Sequence, residues 1–518
     1  MTSEERSAGR AAASVGAGIF LSKIFGFIRE RVIAHYFGAS GYADAWYAAL
    51  RMPNVIRNLL GEGTLSASMI PVYAEMLEEG RDEAAARFAG ARLGLVPVVA
   101  ASLVLLGVAV APLFVPLFFP VWSAEIQDLT VQLIRILLPM TGLFVLSAWT
   151  LGILNSHRIF FVTFVAPALW NLAMITAMIG GAVYFGLEDR GLVVALAWGA
   201  LVGGALTLVI QVPFLARHVS GMRLSLGRGV TGVREAITNF VPVVAARGIV
   251  NVSGWIDLIL AGRLVPGAVA VMGYAQIFAN LPISLFGTGV AAAELPELSR
   301  MRQEHRDALS ARVTASLTRA LYFLVPSAVV YVALGDVVVA ALFQTGRFGE
   351  ATTLITWGVL GAYSLGLPAS ASSRVLSSTF YALRDTRTPA KMAYIRVAVA
   401  VVVGVALMFP ADRLGFSTLR LGAAGLAAGS TMGAWIELVL LRRALKREIG
   451  AHGPALGTLL RLTAAALLAA LVGVLIQVSF PTAHPILAAL ETLIPAGVVY
   501  LALTSWMGLG IPLRRRGA

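Results

Sequence analysis

The run Leu93-GLVPVVAASLVLLGVAVAPLF-Val115 decides what kind of protein this is. It holds 23 residues without a charge. A helix needs about 20 apolar residues to cross ~30 Å of hydrocarbon. A membrane-spanning strand is shorter and alternates in polarity, so a continuous run of this kind argues for a helix and against a β-barrel. Comparable segments fall at 14–37, 41–68, 128–154, 160–184, 191–215, 236–260, 268–295, 313–343, 352–382, 391–410, 421–441, 457–479 and 484–508. With the run at 92–119 they make fourteen. Composition agrees: of 518 residues 58% are hydrophobic, mean hydropathy is +0.82 and only 13% are charged. Soluble chains carry about 25% charged residues. The expected fold is an all-α polytopic membrane protein. A soluble multidomain enzyme, a disordered chain and a secreted disulfide scaffold are excluded, the last because cysteine is absent.

Orientation follows from the basic residues. With the N-terminus in the cytoplasm, the loops on that side hold 24 Lys and Arg, among them Arg217, Arg223, Arg228, Arg234, Arg442 and Arg443. The opposite loops hold five: Arg190, Arg263, Arg347, Arg413 and Arg420. A miscount by one span would scramble this alternation, so the positive-inside rule places both termini in the cytoplasm. It also accounts for the net charge of +13 without a nucleic-acid partner. Residues 1–13 read as an unprocessed cytoplasmic start, since no cleavage site follows them.

Gly61-Glu62-Gly63 at the end of the second span is echoed by Gly287-Thr288-Gly289 at the end of the eighth. The offset is six spans, an even number that keeps both copies in one orientation. This predicts two parallel six-helix lobes, 14–225 and 226–450, then two further helices over 451–510 and a basic cytoplasmic tail over 511–518. Repeated lobes around a central cavity are a common transporter plan.

Charge inside the spans points to function. Lys23, Arg29, Glu30, Arg31, Asp44, Arg51, Arg57 and Glu62 fall within forty residues of the first two spans. Lipid exposure of such a set would cost several kcal/mol per residue, so it is expected to line a water-filled cavity. Helical spacing places Lys23 near Glu30 and Arg31, and Asn54 on one face with Asn58 and Glu62. The bland alternative is a set of structural pairs, Arg29 with Asp44 or Arg57 with Glu62. The excess is cationic, and arginine forks suit phosphate and carboxylate, so the cargo is expected to be anionic. Asp257, mid-span in the seventh segment, either binds a coupling cation or proton or pairs with Arg247 or Arg374. Asn171, Gln276 and Asn280 are further polar candidates at mid-depth. Arg319, Arg396 and Arg461 lie near cytoplasmic span ends and are expected to snorkel. No Walker A sequence occurs, and the six histidines show no ligand spacing. Neither an enzyme nor a resident metal is expected.

The charged opening resembles one family, the MurJ (MviN-like) lipid II flippases of the multidrug/oligosaccharidyl-lipid/polysaccharide exporter superfamily. The resembling residues are Lys23-Ile-Phe-Gly-Phe-Ile-Arg29-Glu30, Ala43-Asp44-Ala45, Arg51-Met-Pro53-Asn54, Arg57, Glu62-Gly63, Ser66 and Pro71. Supporting stretches are Ala166-Pro167 with Asn171, Leu342-Phe343-Gln344-Thr-Gly346-Arg347-Phe348, and Phe380-Tyr381-Ala-Leu-Arg384-Asp385-Thr386. The resemblance implies transfer of undecaprenyl-pyrophosphate-linked peptidoglycan precursor, lipid II, across the bacterial cytoplasmic membrane by alternating access. It implies a cationic cavity, a lipid-tail groove on the last two helices, and a monomer. Lipid II and membrane lipids are the implied partners, with cell-wall synthesis proteins as further candidates. By resemblance Arg29 and Arg57 match essential cavity arginines and Asp44 their acidic partner. Lys23 and Glu30 stand where many members have arginine and aspartate, and Arg51, Asn54, Glu62, Gln276 and Asn280 complete the expected substrate-binding set.

Two departures stand out. Ile277 occupies the eighth-span position where the family usually has an arginine. Asp257 falls where some members have an aspartate proposed to bind sodium, but the partner positions in span eleven are Val403 and Gly404, poor ligands. Coupling to the membrane potential or to a monovalent cation stays open, and no cofactor is expected. The competing readings are an exporter of another polyprenyl-linked oligosaccharide and a drug/cation antiporter, which should carry more cavity carboxylates and fewer arginines.

Overall fold

The structure, a computed structural model, describes residues 3–60, 62–157, 159–217, 254–291, 306–413, 415–416, 419–482 and 484–510, together with Ser225, Glu294 and Leu298. For 3–17, 19, 59–60, 62–69, 415–416 and 419 it describes the backbone alone. Helix dominates, because a helix pairs its own backbone groups and so can lie in hydrocarbon. Ten helices are long and apolar enough to cross a membrane, and a bent pair, Glu350–Ser364 with Leu367–Ala382, makes an eleventh. The protein is an all-α, multi-pass membrane protein. Among the described residues strand pairing is confined to Gly415–Phe416 against Leu419–Arg420.

The chain forms two compact units, Met1–Arg263 and Leu264–Ala518. The first contains α1 (Ser3–Phe37), α2 (Gly41–Leu60), α3 (Glu62–Glu78), α4 (Asp82–Phe118), α5 (Ala124–Ser156), α6 (Phe161–Phe185), α7 (Asp189–Val209), α8 (Val212–Ala216) and α9 (254–261). The charges Asp44, Arg51 and Arg57 keep α2 out of the set recognised by length and hydropathy, and α3 is too short for it at 17 residues. The second sequence segment falls on α2 and α3, and α3 runs to Glu78, past the expected end at 68. Ser123 caps α5 by accepting a hydrogen bond from the Ile126 amide. Val72, Tyr73, Phe88, Trp149 and Ile153 form an apolar core beneath α3, α4 and α5. Several buried polar groups are paired across helices: Gln211 Nε2 donates to Ser147 Oγ at 2.7 Å, and Thr207 Oγ1 to the Ala166 carbonyl at 3.2 Å.

In the second unit, α10 (Ala268–Pro282) passes into a π-helical stretch, Ile283–Thr288. Then come Arg306–Ala333, Gly335–Phe343, the bent pair, Arg387–Asp412, Gly422–Ile449, Leu456–Ser479 and Pro485–Trp506. Two segments that read as continuous in sequence are broken. The 313–343 segment breaks at Leu334, where Trp357 Nε1 donates to the Tyr331 and Val332 carbonyls. The 352–382 segment bends by 41° between Ser364 and Leu367. Pro368 has no N–H to offer the carbonyl four residues back. Thr431 donates to the Ala362 carbonyl at 2.6 Å and Trp435 to that of Leu365 at 2.9 Å. Gly429 lets the Gly422–Ile449 helix lie directly on Arg387–Asp412: a Cβ there would come within 2.5 Å of the Gly404 Cα. The last two helices pack on Arg306–Ala333 through Tyr322, Tyr500 and Leu462, while Leu467, Leu471, Leu475 and Val498 face outward.

Candidate functional site

The charged start of the chain converges on α6. Arg29 of α1 donates from Nη1 to Asn171 Oδ1 at 2.9 Å and pairs through Nη2 with Glu30. The second Glu30 oxygen accepts from Tyr47 Oη on α2 at 2.6 Å. Asn171 is itself held, because its amide donates to the Ser22 carbonyl at 3.3 Å and the Pro167 carbonyl at 3.2 Å. With both amide donations spent, its oxygen faces the arginine.

Aromatic rings complete the seat. The Arg29 guanidinium carbon lies 5.1 Å from the Trp170 ring centroid. That of Arg57 lies 5.2 Å from the Phe144 ring and 5.9 Å from the same Trp170 ring. Phe144 meets Trp170 edge-on at 5.5 Å. Trp170 Nε1–H donates to the Ala200 carbonyl at 3.1 Å and meets Met140 Sδ at 3.2 Å, so α5 and α7 fix the indole. Each cation–π contact is worth about 0.5–2 kcal/mol and leaves the formal charge of the guanidinium in place. Two arginines gathered on one indole can therefore present charge to a multiply charged oxyanion.

Arg51 has a different seat. A Cβ on Gly254 would fall 1.3 Å from Arg51 Nη2, so the guanidinium lies across the bare Cα of α9. Asp257, one turn further along α9, exerts its field on Arg51. Of the cations expected beside Asp257, Arg247 lies outside the described residues and Arg374 feels the charges of Arg396 and Glu437; Arg51, not expected there, is the arginine that α2 brings to Asp257. Trp255 meets Phe114 of α4 edge-on at 5.2 Å, and Gly262 lies against Phe119.

The remaining sequence candidates are distributed as follows. Lys23 is exposed on α1. Asp44 is buried in the first turn of α2, where the helix dipole favours a carboxylate. Asn54 is half-buried one turn before Arg57. The Glu62 side chain lies outside the described part. In the second unit Gln276 Nε2 donates to Tyr363 Oη at 3.0 Å, Asn280 is exposed, and Ile277 is half-buried between them in sequence.

The snorkelling expectation needs correcting at two positions. Arg319 Nη1 meets Glu294 Oε1 at 3.1 Å, with Arg312 Nε on the other oxygen at 2.7 Å. Arg396 Nη1 meets Glu437 Oε2 at 2.9 Å. Both carboxylates are buried, and a buried carboxylate needs a cation more than a half-exposed arginine needs water. Arg461 is exposed, in keeping with the expectation. Sequence reasoning passed over Trp170, Phe144, Tyr47, Glu294 and Glu437. Glu437 gave a signal, as the lone acid of the apolar run Gly422–Leu441; ring positions on separate helices gave none. Among the described residues no group of three or more His, Asp and Glu could hold a metal ion.

The fold is that of solved transporters. It matches a lipid II flippase MurJ in an inward closed conformation with a TM-score of 0.77 at 22% identity, over 95% of this chain and 98% of that one. It also matches an inward-facing multidrug resistance MATE family transporter of the MOP superfamily with a TM-score of 0.66 at 15% identity, over 85% and 98%. Sequence relatives are nearer. A probable lipid II flippase MurJ of Rhizobium tropici is 31% identical over 445 residues, 84% of this chain and 80% of its own length. The lipid II flippase MurJ of Burkholderia cenocepacia is 31% identical over 463 residues, 87% and 86%. The family model described as lipid II flippase MurJ matches residues 33–493, and over that span this chain belongs to the MurJ family.

Proposed function

We propose that this chain moves lipid II from the cytoplasmic to the periplasmic leaflet of the bacterial inner membrane, as a transporter and not an enzyme. The observation that carries the reading is Arg29 and Arg57 on one aromatic seat in a member of the MurJ family. A flippase must take a charged head group across ~30 Å of hydrocarbon while the polyprenyl tail stays in lipid. Guanidinium groups replace the water that a diphosphate loses on entering the protein. An inside-negative potential favours outward movement of an anion by ~2.3 kcal/mol per charge per 100 mV.

The topology that goes with this reading has fourteen spans, with both termini cytoplasmic. Residues 14–225 and 226–450 form six-helix lobes, 451–510 form a lipid-tail groove, and 511–518 are a basic cytoplasmic tail. Supporting it are the alternation of basic loops and the eleven spans recognised by length and hydropathy, to which α1, the α2–α3 segment and the 236–260 segment would add three. Arg29 and Arg57 bind the diphosphate. Lys23, Asp44, Arg51, Asn54 and Glu62 in the first unit and Gln276 and Asn280 in the second contact the cargo, and Asp257 is the candidate for a coupling cation. The protein works as a monomer beside cell-wall synthesis proteins.

The test is lipid II exposure at the outer leaflet of cells depleted of their own flippase. Wild-type protein restores it and Arg29→Ala does not. Ile277, in place of an arginine usual in the family, favours a second reading, export of another polyprenyl-linked oligosaccharide. A well-folded protein at normal abundance that leaves lipid II unexposed would establish that reading in place of the first.

A further inference from the structure

Trp170 is more than core packing. Its ring lies within cation–π range of both Arg29 and Arg57, at 5.1 and 5.9 Å, although the two arginines come from different helices. Like charges repel, so two guanidinium groups on separate helices drift apart unless something holds each of them. The indole can do so because it is itself immobile: its N–H is fixed by the Ala200 carbonyl of α7, Met140 of α5 lies beside it, and Phe144 braces it edge-on while also facing Arg57. Asn171, the next residue on α6, holds the other side of Arg29. One helix thus sets both cations, through adjacent side chains.

We propose that Trp170 is a positioning residue that holds Arg29 and Arg57 as one paired clamp, and that this pairing makes the site prefer a diphosphate head group to a monophosphate. The inference rests on the diphosphate reading given above and adds to it the group that sets the spacing of the cations. A diphosphate has two anionic centres and gains from two cations at a fixed separation; a monophosphate is served by either one. Loss of the indole leaves both charges in the protein but no longer paired.

The test uses the full chain in nanodiscs and two probes, farnesyl diphosphate and farnesyl monophosphate, titrated calorimetrically. Wild-type protein prefers the diphosphate. Trp170→Leu lowers that preference about fivefold while monophosphate affinity stays within about twofold, Trp170→Phe retains most of it, and adding Trp170→Leu to Arg57→Ala costs nothing more. A purely structural role predicts equal loss of both probes, which overturns the proposal, as does an unchanged preference in Trp170→Leu. If Trp170→Leu does not accumulate, Phe144→Leu, which removes the ring that both braces the indole and faces Arg57, must lower the preference by itself; if it does not, the clamp is wrong. Wild-type protein that treats the two probes alike also overturns the pairing, whereas the transport reading stands or falls on lipid II exposure.

Discussion

Arg57 on α2 and Arg396 on the Arg387–Asp412 helix meet their surroundings differently. Arg57 lies over the rings of Phe144 and Trp170, while Arg396 lies on the buried carboxylate of Glu437. Rings attract a cation without cancelling it; a carboxylate cancels it. The same side chain therefore does two jobs in one protein. In the second unit Arg312, Arg319 and Arg396 neutralise Glu294 and Glu437 and fasten helices together. In the first, Arg29 is shared between Glu30, Asn171 and the Trp170 ring, and Arg57 lies over two rings, which attract a cation without cancelling it.

If that contrast is right, function and stability should separate between the units. Arg29→Ala and Arg57→Ala should abolish lipid II exposure and complementation, Arg57→Ala with membrane abundance and thermal midpoint near wild type, Arg29→Ala with a lowered midpoint because Glu30 is left buried without its cation. Normal growth on either variant at low expression would break the comparison from the first unit's side. Glu437→Gln should do the reverse. Losing the carboxylate strands a half-buried guanidinium and should cost about 2 kcal/mol, read as a lower melting temperature, and Arg396→Met in the same chain should restore most of it. Failure of the double variant to recover would mean that Glu437 does something other than balance Arg396.

Arg51 tests the middle ground. Its seat on Gly254 beside Asp257 is electrostatic, yet it lies in the unit that carries the clamp. Gly254→Ala, Arg51→Ala and Asp257→Asn should each give a partial loss of transport, and Gly254→Ala with Arg51→Ala should be no worse than either alone. Complete loss in Asp257→Asn at normal abundance would move that carboxylate into the central machinery.

The smallest effect belongs to His452, in the loop after the Gly422–Ile449 helix. Burial holds its pKa below the usual 6.5, with Arg442 and Lys446 adding to that and a bond to the Gly450 carbonyl opposing it. Between the folded and unfolded pKa values the unfolded chain binds more protons, so stability is full above about 6.5 and falls as the pH drops toward the folded value. The fall in melting temperature between pH 7.5 and pH 5.5 should shrink slightly in His452→Gln.

Much of the fold was legible because hydropathy is a local property: Leu93 to Val115 needs no partner to be recognised as a span. Charge was legible as composition, and so the first two segments stood out as a polar region. What lay beyond reading was which groups meet. Nothing along the chain distinguishes Trp170 from the other eight tryptophans, because its role depends on α1, α2, α5 and α7 arriving together. Arg396 reads as a snorkelling residue until Glu437, 41 positions later, is placed beside it. Breaks were also hidden, since Gly366-Leu367-Pro368 is tolerable inside an apolar run and becomes a bend only where a neighbouring helix takes up the released carbonyls.

That bend bears on how the protein is made. Glu350–Ser364 and Leu367–Ala382 have 15 and 16 residues. Neither half, at about 23 Å, crosses the hydrocarbon alone, so the two must insert together as one span. The Ala362 and Leu365 carbonyls at the junction are met by Thr431 and Trp435, which leave the ribosome more than sixty residues later. Until then the nascent segment sits in the translocon or bilayer with polar backbone uncovered. Its insertion is finished only when a later helix is synthesised and docks, so biogenesis of this span depends on order of synthesis as well as on its own hydrophobicity.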